Sequence, residues 1–390
     1  MDIEKIQDYL QRHSLDGWLL ADFHGRNNIA VSLLGLSGIV TRRSFYFIPA
    51  QGDPTAICHA IEKAKFKNAP GTLTVYSSYK KLESELQFLL VGKHTIAMEF
   101  SPRGRLPYIG LVDAGTIDLI REFGVSVVSS ADLVAHFNAI LTTEQMAMHR
   151  MAGRNLIEIK EKAFDFIASS LNDGKSITEY DVTRFILDRF EEYDMVTEYP
   201  PNCSVDAHAG DPHYEPQEES ASPIGKNQLV LIDLWAKIKH DDAVYGDITW
   251  MAFTGAREDI PPRYNEMFEV LAEARDRAVA FLRENIDKRP VYGYQVDDAC
   301  RAVVEQAGFG EFFTHRTGHS ITTNEHGSGP NIDNLETEDK RKLQKGHLFS
   351  IEPGIYRDDC GFRTEIDVLI GHDGPEITTL PLQTEIKALS

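Results

Sequence analysis

Apolar positions in the first 140 residues alternate between two periods. Ile3, Ile6 and Leu10 follow the 3.6-residue spacing of one helix face. Short apolar runs with the length of strands come after it, at 17–20, 44–49, 95–98 and 125–128. Turn residues separate these runs. Helical and strand-like segments in alternation predict an α/β domain over residues 1–140.

Longer amphipathic patterns begin beyond this point. Thr142 and Gln145 have the spacing of a capping box, which predicts the start of a long helix. Three further helices are predicted to start near Thr178, Tyr264 and Asp297, the last ending at a glycine cap at Gly308. Strand-like segments lie between and after the helices. Residues 141–390 are therefore predicted to form an α+β domain in which helices pack on a largely antiparallel sheet.

The composition is that of an ordinary globular chain and narrows the function classes. The 390 residues include 42% hydrophobic and 26% charged residues, and the formal charge is -20 at pH 7. This charge argues against nucleic-acid binding, which needs a basic face. No apolar stretch approaches the ~20 residues that span a bilayer. The first residues lack a signal-peptide pattern, and the four cysteines form no CxxC pair. We therefore expect a cytoplasmic protein without nucleic-acid or membrane partners.

Five potential metal ligands occur where a charge is least expected, in strand-like runs or sharp turns. Asp233 ends the apolar run 229–232, and Glu352 follows 348–351 and precedes a Pro-Gly turn. A carboxylate in a buried sheet is costly unless a positive group holds it. Four carboxylates and one imidazole brought together would suit two divalent cations, with room for a shared water. The five residues are Asp233, Asp247, His319, Glu352 and Glu365.

Each carboxylate also has an ordinary structural interpretation, and no single one decides between the two. Asp233 could begin a loop and Asp247 could belong to its turn. Glu352 could start a turn, and Glu365 could face solvent from an edge strand. Strand alternation places Thr249 on the face of Asp247, where its hydroxyl could hydrogen-bond a ligand carboxylate.

Three histidines lie close together in the chain among glycines. His319 and His326 follow His315 by four and eleven residues. The glycines favour a tight backbone over a helix. Neutral imidazole is both a common metal ligand and an acid–base group near neutral pH. The cluster predicts a functional site, and a solvated loop that carries three histidines is the alternative.

Arg363 lies two residues before Glu365, so in a strand both side chains share a face. Its guanidinium could orient the ligand carboxylate or clamp an anionic substrate terminus. The alternative is a surface ion pair, which contributes little.

These motifs together resemble the pita-bread metallopeptidases, a family that includes methionine aminopeptidase, aminopeptidase P and prolidase. The resemblance rests on Gly318-His319-Ser320-Ile321, Ile351-Glu352-Pro353-Gly354 and Arg363-Thr364-Glu365. It implies a C-terminal pita-bread domain that holds a dinuclear metal centre. The ligands it implies match Asp233, Asp247, His319, Glu352 and Glu365.

The resemblance extends to the proline-directed members of the family. Their additional histidines match His315, His326 and, in a Pro-His-Tyr setting, His213. The match is detailed from residue 143 onward. The first 140 residues are similar to the creatinase-type N-terminal domain by pattern and placement.

The chain departs from the family pattern at four places. Asp233 and Asp247 are 14 residues apart, a longer spacing than the family usually has. Trp235 stands where the family has glycine, and Thr249-Trp250-Met251 replaces its Thr-Arg-Thr. The acidic residue that often follows the last ligand is shifted to Asp367. These departures leave the implied metal site intact and concern the substrate pocket.

The resemblance implies a metal-dependent dipeptidase of the prolidase type that cleaves Xaa-Pro dipeptides. Glu352 would act as general base on a metal-activated water, while His213, His315 and His326 would bind substrate and stabilise the intermediate. His213, His326 and Arg363 are the implied substrate-binding residues. The two metals would be Mn, with Zn, Co or Fe as alternatives.

Other activities stay open at this point. Aminopeptidase P, which takes longer Xaa-Pro peptides, is the nearest alternative. A pita-bread hydrolase or lyase acting on a small non-peptide compound is another, and a binding protein that has lost catalysis is a third. The substrate is expected to be a proline-containing di- or oligopeptide, and the resemblance implies a homodimer.

Overall fold

The computed structural model describes residues 2–38 and 40–389. The chain divides into two units, Met1–Asn138 and Ala139–Ser390. Within the described ranges, every helix is too short or too polar to cross a membrane.

The first unit is built on one mixed six-stranded sheet. Its elements in chain order are α1 (Ile3–Arg12), β1 (Gly17–Asp22), α2 (Asn28–Leu34), β2 (Ser44–Pro49), β3 (Thr55–His59), β4 (Thr72–Tyr76), α3 (Tyr79–Leu89), β5 (Thr95–Met98), α4 (Ala114–Glu122), β6 (Ser126–Ser129) and α5 (Ala131–Asn138). The strand order is β4-β3-β2-β1-β5-β6. Alternate side chains enter apolar clusters on opposite faces, with Trp18 and Leu20 in one and Leu19 in the other. The predicted α/β character of this unit is confirmed.

A buried carboxylate joins separate parts of this first unit. Glu99 accepts hydrogen bonds from Trp18 Nε1 at 2.6 Å, Asn27 Nδ2 at 2.7 Å and Ser130 Oγ at 3.0 Å. All three donors are neutral. Burial raises the pKa of Glu99 above its usual value, and these hydrogen bonds offset part of that increase.

The second unit combines long helices with short strands. Its elements are α6 (Thr143–Asn172), α7 (Glu179–Glu192), β7 (Met195–Val196), β8 (Asn202–Val205), β9 (Leu229–Ile238), β10 (Gly246–Phe253), α8 (Pro262–Asn285), α9 (Gly293–Gln306), β11 (Leu348–Ile351), β12 (Gly354–Arg357), β13 (Cys360–Arg363), β14 (Ile366–Gly371), β15 (Gly374–Ile377) and β16 (Lys387–Ala388). β9 pairs antiparallel with β7, β8 and β10, and β14 pairs antiparallel with β11 and β15. Only β16 runs parallel to its partner, β10, among the paired strands described for this unit. The predicted α+β architecture is confirmed.

The central strands β9 and β10 separate two cores. Val230, Ile232 and Trp250 pack into the cluster formed with α6 and α7. Residues of the opposite parity, such as Leu231 and Met251, pack into the cluster formed with α8 and α9. Because side chains alternate along a strand, the odd-numbered positions 233, 235, 247 and 249 face away from α6 and α7.

The helix boundaries agree with the sequence in part. Thr142 caps α6 as predicted, with its Oγ1 accepting from Gln145 N at 3.2 Å and its own N–H donating to Gln145 Oε1 at 3.0 Å. α9 begins at Gly293, four residues before the predicted start at Asp297. Its capping residue is Tyr292, which is not a favoured N-cap residue, so the sequence carries no signal for this boundary.

Candidate metal centre and active site

The register of the central strands brings both predicted aspartates onto one face. Asp233 lies directly opposite Thr249, and Asp247 lies directly opposite Trp235. Opposite residues of an antiparallel pair point to the same side of the sheet, with Cβ atoms about 4.5–5.5 Å apart. This face therefore carries two carboxylates, a hydroxyl and an indole.

A buried three-residue cluster forms the centre of the site. One carboxylate oxygen each of Asp247 and Glu365 and one ring nitrogen of His319 all lie within 4.8 Å of one another. The distance from His319 Nε2 to Asp247 Oδ2 is 3.6 Å. One imidazole and two carboxylates at this separation are a suitable ligand set for a divalent cation.

Glu352 adjoins this cluster through the same histidine. Its Oε1 lies 3.5 Å from His319 Nε2. Ser350 holds both residues, because its Oγ accepts from His319 N at 2.9 Å and donates to Glu352 Oε1 at 3.1 Å. Gly318 permits this close approach, since a Cβ there would lie 1.9 Å from Ser350 O.

Asp233, the fifth predicted ligand, is paired with a cation. Its Oδ2 accepts a hydrogen bond from Arg363 Nη2, while its Oδ1 is buried without a hydrogen-bond partner among the described residues. Asp233 thus lies on the site face, outside the tight three-residue cluster, with one oxygen available for a ligand.

Arg363 is buried and all three of its guanidinium nitrogens are engaged by site residues. Nε donates to Thr249 Oγ1 at 3.0 Å and Nη1 donates to Tyr356 Oη at 2.9 Å, in addition to the contact with Asp233. Thr249 Oγ1 in turn donates to Glu365 Oε2 at 2.8 Å. The structure therefore places Thr249 against a candidate ligand carboxylate, as its strand position predicts, and places Arg363 among the same groups.

The electrostatics of the site indicate missing positive charge. Burial, followed by the charges of neighbouring carboxylates, raises the pKa of Asp247 and of Glu365 well above the usual range. Burial also raises the pKa of Glu352, to about 7. Asp247 Oδ1 is buried without a hydrogen-bond partner among the described residues, like Asp233 Oδ1. Buried carboxylates with partnerless oxygens fit divalent cations, which would supply both the charge and the partners.

His315 belongs to a hydrogen-bond chain in which the donor and the acceptor of each bond can be assigned. Its Nδ1 must donate to the carbonyl of Arg316, at 2.7 Å, so its Nε2 accepts from Tyr356 Oη at 2.8 Å. Tyr356 Oη accepts in turn from Arg363. Burial, followed by the charge of Arg363, lowers the pKa of His315 to about 3. The imidazole is therefore neutral and connected to Asp233 through Tyr356 and Arg363.

The other two predicted histidines lie at the rim. The ring of His326 is 4.3 Å from that of His319, and its side chain is 56% exposed. His213 is exposed and close enough to His326 for its charge to lower the pKa of that residue, an effect that follows those of burial and Arg316. The structure thus places His326 beside the candidate ligand His319, His315 in contact with Tyr356, and His213 near His326.

A buried glutamate that sequence analysis did not select holds the segment carrying His213. Glu179 is fully buried at the start of α7. It accepts hydrogen bonds from Val205 N at 2.7 Å, His208 Nδ1 at 3.0 Å, Tyr214 Oη at 2.6 Å and Ser222 N at 2.7 Å. All four donors belong to residues 205–222, which include His213. No local pattern could reveal this convergence, because the donors span a loop.

Tyr356 and Ser350 were also missed, although signals for both exist. Tyr356 is two residues from the turn glycine Gly354, which pairs with Arg363 in the β12–β13 hairpin. Alternation within that hairpin places Tyr356 and Arg363 on one face. Ser350 precedes Glu352 by two residues, and β11 ends at Ile351, so strand alternation continued by one residue would place both on one face.

The two tryptophans that depart from the family pattern lie on opposite faces. Trp235 is on the site face opposite Asp247. Trp250 packs on the other face, where the Nζ of buried Lys160 lies 3.3 Å from its ring centroid. Only Trp235 can affect the candidate active site directly.

The comparisons with known proteins agree with this geometry. Residues 152–372 match the sequence model of Metallopeptidase family M24. An uncharacterized peptidase of Staphylococcus aureus (strain MW2) is 26% identical over 264 residues, which are 67% of this chain and 68% of that protein.

Solved structures with the same fold include three peptidases. A dipeptidase from Mycobacterium ulcerans has a TM-score of 0.73 at 20% identity and covers 99% of this chain and 96% of its own. The prolidase from Pyrococcus horikoshii OT3 has a TM-score of 0.65 at 19% identity, with 98% and 99% covered. A cytosolic X-prolyl aminopeptidase from Caenorhabditis elegans with a di-nuclear active site has a TM-score of 0.68 at 18% identity, with 98% and 62% covered.

At these identities the solved structures establish the fold, which confirms the predicted pita-bread architecture. The family match covers more than half of the residues and includes all five candidate ligands. The chain belongs to metallopeptidase family M24.

Proposed function

We propose that this chain is a dinuclear-metal dipeptidase of the prolidase type, which cleaves Xaa-Pro dipeptides. The observation that carries the proposal is the buried cluster of Asp247, His319 and Glu365, with Asp233 and Glu352 beside it. Family membership supports hydrolysis of peptides. Preference for proline rests on the histidines His213, His315 and His326, which match those of the proline-directed members.

The five residues Asp233, Asp247, His319, Glu352 and Glu365 would hold two divalent cations. Mixed oxygen and nitrogen ligands select weakly among metals, so Mn is the first choice, with Zn, Co and Fe as alternatives. Bound cations would lower the pKa of a water and polarise the scissile carbonyl.

The residues around the ligands would carry out the remaining steps. Glu352, which accepts a hydrogen bond from Ser350, would take the proton of the attacking water. His326 and His213 would contact the peptide and donate a hydrogen bond to the developing oxyanion, and the position of His326 beside His319 supports this role. His315 would contribute through its hydrogen bond with Tyr356 Oη.

For Arg363, the contacts support the orienting role. The guanidinium is buried, and its Nε and both Nη nitrogens already donate to Thr249, Tyr356 and Asp233, so at most two of its five N–H groups remain. We therefore assign Arg363 to holding Asp233 and, through Thr249, Glu365.

The test is an activity panel on protein purified and reconstituted with Mn. Xaa-Pro dipeptides, Xaa-Pro-Yaa tripeptides and dipeptides without proline are compared. Preferential cleavage of Xaa-Pro dipeptides supports the proposal, whereas good activity on the tripeptides favours aminopeptidase P. The absence of peptide cleavage by metal-loaded protein would refute the proposed function.

Metal analysis tests the ligand set separately. The reconstituted chain should approach two ions, and Glu352→Ala should lower that number. His326→Ala is the matched control in the same site, since it should reduce turnover by roughly 10²–10⁴ while leaving metal content nearly normal. Loss of metal in His326→Ala would show that the roles are assigned incorrectly. The expected homodimer is tested by light scattering of the same sample.

A further inference from the structure

Asn202 on β8 has a buried polar atom that the protein itself does not use. The residue is 6% exposed. Its Oδ1 is buried and has no hydrogen-bond partner among the described residues. Buried polar atoms in native proteins are nearly always hydrogen-bonded, so a partnerless one calls for a specific explanation, such as a ligand that is absent from the structure.

The strand register directs this side chain toward the candidate active site. Asn202 lies directly opposite Asp233, which lies directly opposite Thr249. The neighbours of Asn202 in the sequence confirm its direction, because Cys203 and Val205 pack on the other face with α6 and α7. Asn202, Asp233 and Thr249 therefore form a row across three strands on the site face.

The end of this row needs a hydrogen-bond donor. Asn202 Oδ1 is an acceptor without a partner among the described residues, and the Oδ1 of Asp233 beside it is assigned to the metal. Arg363 pairs with the other oxygen of Asp233, while Glu325 and Glu198 add negative charge close to it. An amide oxygen beside several carboxylates favours a cationic group with N–H donors and disfavours a carboxylate.

We propose that Asn202 is a substrate-binding residue that accepts a hydrogen bond from the α-ammonium group of the peptide's N-terminal residue. The inference rests on the proposed function, because the peptide must bind beside Asp233. It extends that function by naming the residue that recognises the free N-terminus. It also predicts that wild-type protein binds peptides with an unblocked, protonated amine more tightly than analogues without it.

The chain offers a matched control two residues away. Ser204 points to the same side of β8, is fully buried, and has an Oγ without a hydrogen-bond partner among the described residues. It lies opposite Leu231, in place of a carboxylate. Ser204→Ala therefore removes a comparable buried polar atom that is distant from the proposed ammonium group.

The experiment compares Asn202→Leu, Ser204→Ala and wild type on two ligands. Leu-Pro and 4-methylpentanoyl-proline differ only in the α-ammonium group. We expect Asn202→Leu to raise the KM for Leu-Pro about 10- to 100-fold, the range of one hydrogen bond to a charged group. The KM for the desamino analogue should stay within about twofold, and Ser204→Ala should resemble wild type for both ligands.

Three outcomes would overturn this assignment. Equal losses on the two ligands would show that Asn202 does not recognise the ammonium group. A fall in metal content of Asn202→Leu would make the residue part of the metal site or of its support. An effect of Ser204→Ala as large as that of Asn202→Leu would point to packing of β8.

A failure of the proposed function can be distinguished from these outcomes. If wild-type protein cleaves no Xaa-Pro peptide, binding of the same two ligands to metal-loaded wild type and Asn202→Leu is measured by calorimetry. A preference of wild type for Leu-Pro that Asn202→Leu abolishes supports the ammonium site even then. Equal affinities, or no binding of either ligand, would overturn it.

Discussion

Replacing Glu179 with glutamine tests whether a buried carboxylate holds residues 205–222, the segment that carries His213, in place. Glutamine has the same shape and keeps one carbonyl oxygen, which can still accept from Val205 N. Its amide group, however, faces the donors that meet the second oxygen, Tyr214 Oη and Ser222 N. The tyrosine hydroxyl can rotate and accept, but the backbone N–H of Ser222 cannot.

The expected local loss of stability in Glu179→Gln follows from these contacts. A hydrogen bond to a charged group contributes about 1.5–3 kcal/mol, and a buried donor left without a partner costs about 1–3 kcal/mol. The substitution weakens the bond to Val205 and leaves Ser222 N–H without an acceptor. We therefore expect the segment 205–222 to be destabilised locally by about 2–4 kcal/mol.

The functional effect should appear through His213. Because Glu179 does not face the ligand cluster, Glu179→Gln should raise the KM for Leu-Pro and lower kcat/KM about as much as His213→Ala does. The double variant should be no worse than His213→Ala alone, since both changes remove the same contact. Limited proteolysis within 205–222 gives a readout that does not depend on activity.

Glu99→Gln is the control for this prediction. Glu99 is an equally buried carboxylate that accepts only from neutral donors, and it lies in the first unit. It should alter stability and leave KM unchanged. Fully additive losses in the double variant of Glu179 and His213, or a KM effect of Glu99→Gln equal to that of Glu179→Gln, would refute the reasoning.

Three further substitutions test other parts of the structure. Arg363→Lys offers one ammonium group in place of three guanidinium contacts, so metal affinity should fall at least about tenfold. Activity on Leu-Pro and on its C-terminal amide should fall equally. A loss of activity on the free acid alone would show that Arg363 binds the substrate carboxylate. Glu99 has a raised pKa, so its contribution to the free energy of unfolding is full below its unfolded pKa and declines as pH rises through the folded pKa. Glu99→Gln should remove that decline, as followed by the fluorescence of Trp18 in urea titrations at several pH values; an unchanged slope would contradict the assignment. Gly318→Ala would bring a Cβ to 1.9 Å from Ser350 O, so metal content and thermal stability should both fall, and a fully metallated, stable variant would show that the backbone can yield there.

Local rules predict a large part of this chain. The capping box of Thr142 and the alternation that puts Asp247 and Thr249 on one face of β10 depend on neighbours a few residues away, and both appear in the structure. The five candidate ligands could be selected because charges inside apolar runs are costly wherever the chain folds. The start of α9 could not be predicted, because Tyr292 is not a favoured N-cap residue.

Long-range convergence is the part that the sequence does not reveal. The contacts of Arg363 join residues from four strands or turns that are more than 100 positions apart in two cases. The sequence predicts that Arg363 and Glu365 share a face if one strand carries both, whereas β13 ends at Arg363 and β14 begins at Ile366. It could not show that the guanidinium would donate to Thr249, Tyr356 and Asp233, because that depends on how β9, β10, β12 and β13 pack against one another.

The departures from the family pattern differ in whether they lie on the site face of β9 and β10. The pairing of β9 with β10 ends at Ala236–Gly246, so both Asp233 and Asp247 lie inside the paired region and the residues between 236 and 246 connect the two strands. Trp250 faces α6 and α7. Trp235, in contrast, lies on the site face.

Asp367 accepts a hydrogen bond from Asp247 N at 2.9 Å, so this departure concerns a candidate ligand. Two other features of the site face concern the substrate. Trp235 puts an indole where the family has no side chain, and Asn202 puts a partnerless amide beside Asp233. A hydrogen bond to a substrate group gives strong discrimination, because an analogue lacking that group leaves the amide buried and unpaired. Selectivity of the proposed activity should therefore depend on the wall formed by β8 and β9, while hydrolysis would depend on the five candidate ligands. Exchanging Trp235 for glycine should accordingly broaden the range of N-terminal side chains accepted while metal content stays the same, and loss of metal in that variant would place the indole in support of Asp247.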